Sequence, residues 1–82
     1  MSDAALPPLP ELVPGRYRHY KGGEYEAVAV VRHSETLEPL VLYRALYGER
    51  GLWVRPYPMF VETVVVDGQR VPRFAQLAPA RE

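Results

Sequence analysis

Turn signals recur through this chain at the spacing of an all-β fold, about every 8–12 residues. They are Gly22-Gly23, the polar run His33-Ser34-Glu35-Thr36, the stretch Gly48 to Gly51, Pro56 with Pro58, and Asp67-Gly68. Such punctuation leaves room for short strands and no long helix. The segments between the breaks read as strands: Gly15–Lys21, Tyr25–Arg32, Leu40–Leu46, Leu52–Arg55, Glu62–Val66 and Gln69–Phe74. Tyr25–Arg32 is apolar on both faces and reads as a central strand. Tyr57 to Phe60 follows two prolines and predicts a 3₁₀ or helical turn that drops Met59 and Phe60 onto the core. The pattern predicts a small antiparallel β-barrel or roll of five to six strands. Its expected core is Val30, Val41, Tyr43, Leu52, Val54, Phe60 and Val64.

The flanks differ in character. Residues 1–14 carry Pro7, Pro8, Pro10 and Pro14, which remove backbone donors and fix φ, so a flexible tail is expected there. Pro7-Pro8-Leu9-Pro10 is a minimal PxxP run. Residues 15–74 form the expected single domain, and residues 75–82 a C-terminal tail.

Composition narrows the chemistry. Eighty-two residues make one small domain, and with no cysteine there is neither a disulfide nor a thiolate metal site. No apolar run approaches the ~20 residues that span a bilayer, and no signal-peptide pattern opens the chain. A cytoplasmic protein without membrane attachment is the expectation. Ten basic and ten acidic residues cancel, which argues against binding dominated by phosphate contacts. Lys21 is the only lysine, so the basic side is almost all Arg, suited to flat, bidentate contacts.

Several blocks together resemble a known family. They are Gly15-x-Tyr17-Arg18-His19-Tyr20-Lys21-Gly22, His33-Ser34-Glu35-Thr36, Tyr43-Arg44-Ala45-Leu46-Tyr47, Trp53-Val54-Arg55-Pro56, Met59-Phe60, and Asp67-Gly68 followed by Pro72-Arg73-Phe74. In this order and spacing they are similar to the bacterial domain-of-unknown-function 1653 family, from Gly15 to Phe74. The resemblance implies an SH3-like β-barrel and carries no activity with it.

Three polar blocks are candidates for function. In the first strand, Arg16, Arg18, His19 and Lys21 alternate with Tyr17 and Tyr20, an arrangement that suits an anionic, stackable ligand. Its plain structural counterpart is a basic edge strand guarding against aggregation. The second block brings His33 and Glu35 together on one loop, a pair that acid–base chemistry could use. The ordinary role of Ser and Thr beside acids is to cap a turn. In the third, Trp53 and Arg55 share one strand face across a turn from Tyr43, Arg44 and Tyr47. Half-exposed, Trp53 would build an aromatic groove with Tyr43, Tyr47 and Tyr57, rimmed by Pro56 and Pro58; buried, it would close a small core.

The leading expectation is a non-enzymatic binding module using Tyr17, His19, Tyr20, Arg44, Trp53 and Arg55. The partners such a surface suits are a protein segment, a nucleotide or nucleic acid. An assembly module, or a small hydrolase or lyase using His33 and Glu35, is the alternative. No catalytic residue, cofactor or metal is assigned, and the oligomeric state is open.

Overall fold

The computed structural model describes residues 6–79. Seven strands and one short helix follow in order: β1 (Gly15–His19), β2 (Glu24–Arg32), β3 (Pro39–Ala45), β4 (Leu52–Pro56), α1 (Tyr57–Val61), β5 (Thr63–Val66), β6 (Gln69–Pro72) and β7 (Phe74–Pro79). Five of the strands make one antiparallel sheet in the order β4-β3-β2-β1-β7, and β5 and β6 make a separate hairpin. The fold is all-β. The strand pattern read from the sequence is borne out as all-β, and the sheet stays open rather than closing into a barrel, because the end strands β4 and β7 are not hydrogen-bonded to each other.

The sheet's inner face carries the core. Tyr17, Ala27, Val41, Tyr43, Phe60 and Phe74 form one buried cluster, and Phe60 stacks on Phe74 with centroids 4.1 Å apart. Alternation explains which residues reach it. Tyr17 takes the opposite face from Arg16 and Arg18, as the alternation predicts, and it is Tyr17, expected on a binding surface, that lies inside. Of the expected core, Val41, Tyr43 and Phe60 are buried, while Val30 and Val64 are half-buried. Leu52 and Val54 are exposed instead. The register supplies the reason: Tyr43 pairs with Trp53 and Val41 with Arg55, so Leu52 and Val54 fall on the outer face. Met59 is likewise exposed; in α1 only Phe60 is buried, with Tyr57 packed against the core from its edge.

Turn chemistry follows the sequence with one adjustment. Asp67 and Gly68 both have positive φ, 52° and 81°, and close the β5–β6 hairpin as a two-residue turn. In the Tyr47-to-Gly51 connection, where a glycine such as Gly51 suits a left-handed position, the left-handed residues are Gly48 and Arg50.

The C-terminal flank departs most from expectation. The chain does not fray after Phe74; Phe74–Pro79 pairs with β1 through a bulge between Arg16 and Tyr17. Its Ala, Gln and Leu residues are weak strand formers, and pairing with β1 overrides that preference. Residues 6–14 also lie against the domain. Arg32 donates to the Pro7 carbonyl at 2.8 Å, Tyr57 to that of Glu11 at 3.2 Å and Tyr17 to that of Val13 at 2.6 Å. No helix among the described residues is long and apolar enough to cross a membrane.

Candidate functional site

At one end of the sheet the aromatic side chains outrun the core. The β3–β4 connection and the strands beside it enclose a cleft of about 430 Å³ lined by Tyr25, Tyr43, Tyr47 and Trp53, with Glu49 and Arg50 at its rim. Trp53 is 60% exposed, so its indole forms a wall and not a core plug. Tyr43 behind it is buried, and as the cross-strand neighbour of Trp53 it holds that wall in place.

The opposite wall is a tyrosine pair. The Tyr25 and Tyr47 hydroxyls are hydrogen-bonded at 2.6 Å, and their rings meet edge to face. That hydrogen bond, followed by burial and nearby phenols, pushes the Tyr25 hydroxyl up to about 12. Gly23 makes room for the pair. A Cβ there would lie 3.3 Å from the Tyr25 ring and 3.4 Å from Tyr47. The Gly22-Gly23 doublet therefore divides its labour: Gly22 supplies the positive φ of the turn, and Gly23 the close approach.

Arg55 stands two residues beyond Trp53 on the same face, about 7 Å along the strand. Its guanidinium lies 5.5 Å from the Phe74 ring centre. Its Nε is shut away from solvent without a hydrogen-bond partner. The two ion pairs among the described residues, Arg18–Glu24 and Arg73–Glu62, do not involve it. Arg55 is thus a cation packed on an aromatic ring with no anion of its own among the described residues.

His19 also meets this ring edge to face, its centroid 4.9 Å from that of Phe74. Burial first, then the charges of Arg55, Arg73 and Lys21, lower its pKa below the ordinary histidine value. Its Nδ1 accepts the backbone N–H of Lys21 at 3.2 Å, so the neutral ring carries its proton on Nε2. At neutral pH His19 is a neutral donor beside a fixed cation.

The six residues expected to form one binding surface are therefore divided. Trp53, Arg55 and His19 gather around the edge of the aromatic core. Tyr17 is in the core, 5% exposed. Tyr20 turns to a second, mostly apolar groove of about 410 Å³ between β1, β7 and the β5–β6 hairpin, which His19 also borders. Arg44 lies on the outer face, where it donates to the Arg50 carbonyl at 3.2 Å. Nor does the aromatic groove extend to Tyr57, Pro56 and Pro58; Tyr57 packs on the core. The sequence reading missed Tyr25. Its signal was present in the Gly22-Gly23 doublet ahead of an aromatic residue, read only as a turn.

His33 and Glu35 line neither of the clefts described above. The His33 Nδ1 accepts the backbone N–H groups of Glu35 at 3.0 Å and Thr36 at 3.2 Å. The histidine, in place of Ser34, caps this turn, and Glu35 is exposed. No three His, Cys, Asp or Glu side chains among the described residues gather as a metal site would require.

The profile of a protein family of unknown function, DUF1653, matches residues 15–76. The chain is also similar to the crystal structure of a DUF1653 protein from Bordetella bronchiseptica, at 36% identity and a TM-score of 0.77, covering 88% of this chain and 95% of that one. Among curated proteins there is no match. The chain belongs to the DUF1653 family.

Proposed function

We propose that this DUF1653 protein is a binding module whose ligand is a nucleotide unit, free or within a single strand. The observation that carries the reading is the pairing on one face of β4 of an exposed indole with a cation that forms no ion pair among the described residues. A planar base suits the cleft between Trp53 and the Tyr25–Tyr47 pair, where stacking contributes about 1–3 kcal/mol per base. A phosphate suits Arg55, with the His19 Nε2–H beside it. At the rim Glu49 and Arg50 offset each other, and the chain as a whole is neutral. Both argue for one or two nucleotide contacts rather than a long polyanionic track.

Trp53, the only tryptophan, reports on its own site. Its fluorescence is titrated with a nucleoside monophosphate, a short single-stranded oligonucleotide, inorganic phosphate and a PxxP peptide. Quenching by the first two and none by phosphate alone is the expected result. Arg55→Gln weakens that binding by about 1.5–3 kcal/mol, the contribution of a hydrogen bond to a charged group. A response to the peptide alone, or to none of the four, contradicts the proposal.

A further inference from the structure

We infer that β4 is also a dimerisation strand, in which two copies pair antiparallel about a two-fold axis through Val54. β4 ends the five-stranded sheet, so one of its edges has no strand beside it. Side chains on both faces stand in solvent there, with Leu52 at 53%, Trp53 at 60% and Val54 at 52%. The neighbouring turn fixes which backbone groups face outward. The Ala45 N–H donates to the Gly51 carbonyl at 3.1 Å, and antiparallel pairing alternates from that point. Gly51, Trp53 and Arg55 therefore turn their backbone groups to β3, while Leu52, Val54 and Pro56 turn theirs to the open edge. Pro56, with no N–H, leaves no donor unused at that edge.

The strand is complementary to itself about its centre. With Val54 opposite Val54 of a second copy, Leu52 faces Pro56 and Trp53 faces Arg55, once on each side of the axis. A two-fold interface demands this self-matching. Each Arg55, without an ion pair among the described residues, gains the face of an indole. About four backbone hydrogen bonds form across the axis. On the outer face Val54 lies in register with Leu42 and Ala29, so the apolar surface continues from the pair into each sheet. The inner faces of paired strands point to one side, which sets the two aromatic clefts next to each other.

Sedimentation velocity of the full chain, without ligand and across a concentration series, tests the pairing. The wild-type chain is expected to shift reversibly to twice the mass of one chain. Val54→Pro removes a donor only at the open edge, and Val54→Asp sets two like charges against each other at the axis. Each is expected to weaken association by roughly tenfold or more while far-UV circular dichroism stays as in the wild type. Val65→Asp, at an exposed site on the hairpin, is expected to dimerise as the wild type does. A chain that stays monomeric at high-micromolar concentration overturns the inference. So do Val54 variants that dimerise normally, or a Val65 variant that loses as much. Val54 lies on the face away from the cleft, so quenching of Trp53 by nucleotides survives Val54→Asp and reads the ligand proposal separately.

Discussion

Replacing each of two large aromatic residues by alanine separates a core ring from a surface ring. Trp53 is 60% exposed. An aromatic side chain buries about 150–250 Å² when fully covered, so about 60–100 Å² of Trp53 is removed from water. At ~25 cal/mol per Å² that is about 1.5–2.5 kcal/mol, and the cross-strand contact with Tyr43 is part of it. Phe60 is 1% exposed and stacked on Phe74, and truncating such a ring costs about 3–5 kcal/mol. A chain of this length has about 4–12 kcal/mol in all. Phe60→Ala is therefore expected to leave the domain at the edge of unfolding, while Trp53→Ala keeps a clear folded baseline. Urea denaturation followed by far-UV circular dichroism reads both, since fluorescence is lost with Trp53. Phe60→Leu, with a smaller cavity, keeps the comparison measurable if Phe60→Ala does not fold. A Trp53→Ala chain destabilised as much as Phe60→Ala would place the indole inside and refute the reasoning behind the cleft.

Three further outcomes follow from the geometry. Tyr47→Phe removes the leading cause of the Tyr25 shift, so ultraviolet pH titration should find Tyr25 ionising well below about 12. In the wild type, the folded state holds the Tyr25 proton that the unfolded chain releases near pH 10. Stability should therefore fall as pH rises from 10 towards 12, and a flat profile there would count against the hydroxyl pair. The lowered His19 pKa works in the other direction: the unfolded chain takes up a proton first, so stability drops as pH falls below the ordinary value of 6.5. His19→Gln should flatten that acid limb in denaturation curves collected between pH 7 and 5. His33→Ala deprives two backbone N–H groups of their acceptor and should cost about 0.5–2 kcal/mol, as lost caps do. Amide exchange should accelerate at Glu35 and Thr36, with β2 and β3 unchanged.

The fold was legible wherever local chemistry decides it. Asp67-Gly68 makes the turn its residues demand, and the alternation of Tyr17 with Arg16 and Arg18 places β1 correctly. It was not legible where pairing decides. Beyond Phe74, residues Ala75 to Pro79 have little strand preference of their own and join β7 because β1 presents an edge. Leu52 and Val54 look like core, yet the register with β3 turns them outward and Trp53 and Arg55 inward. The candidate site was half visible for the same reason. Trp53 and Arg55 share a face by spacing alone, whereas the arrival of His19 and Tyr25 beside them depends on how the sheet curls around Phe74. Gly23 was the residue most open to misreading, since its role is clearance for a tyrosine and not backbone conformation.

The proposed function places the ligand at the open aromatic end of the sheet. An amide and indole chemical-shift map of the chain during titration with a short single-stranded oligonucleotide tests it most directly. Shifts are expected to concentrate at the Trp53 indole N–H, Arg55, Tyr25, Tyr47 and Gly51, with the outer-face residues Val28 and Leu42 still. Shifts centred on the His33–Glu38 turn or the outer face, or none at all, would contradict it.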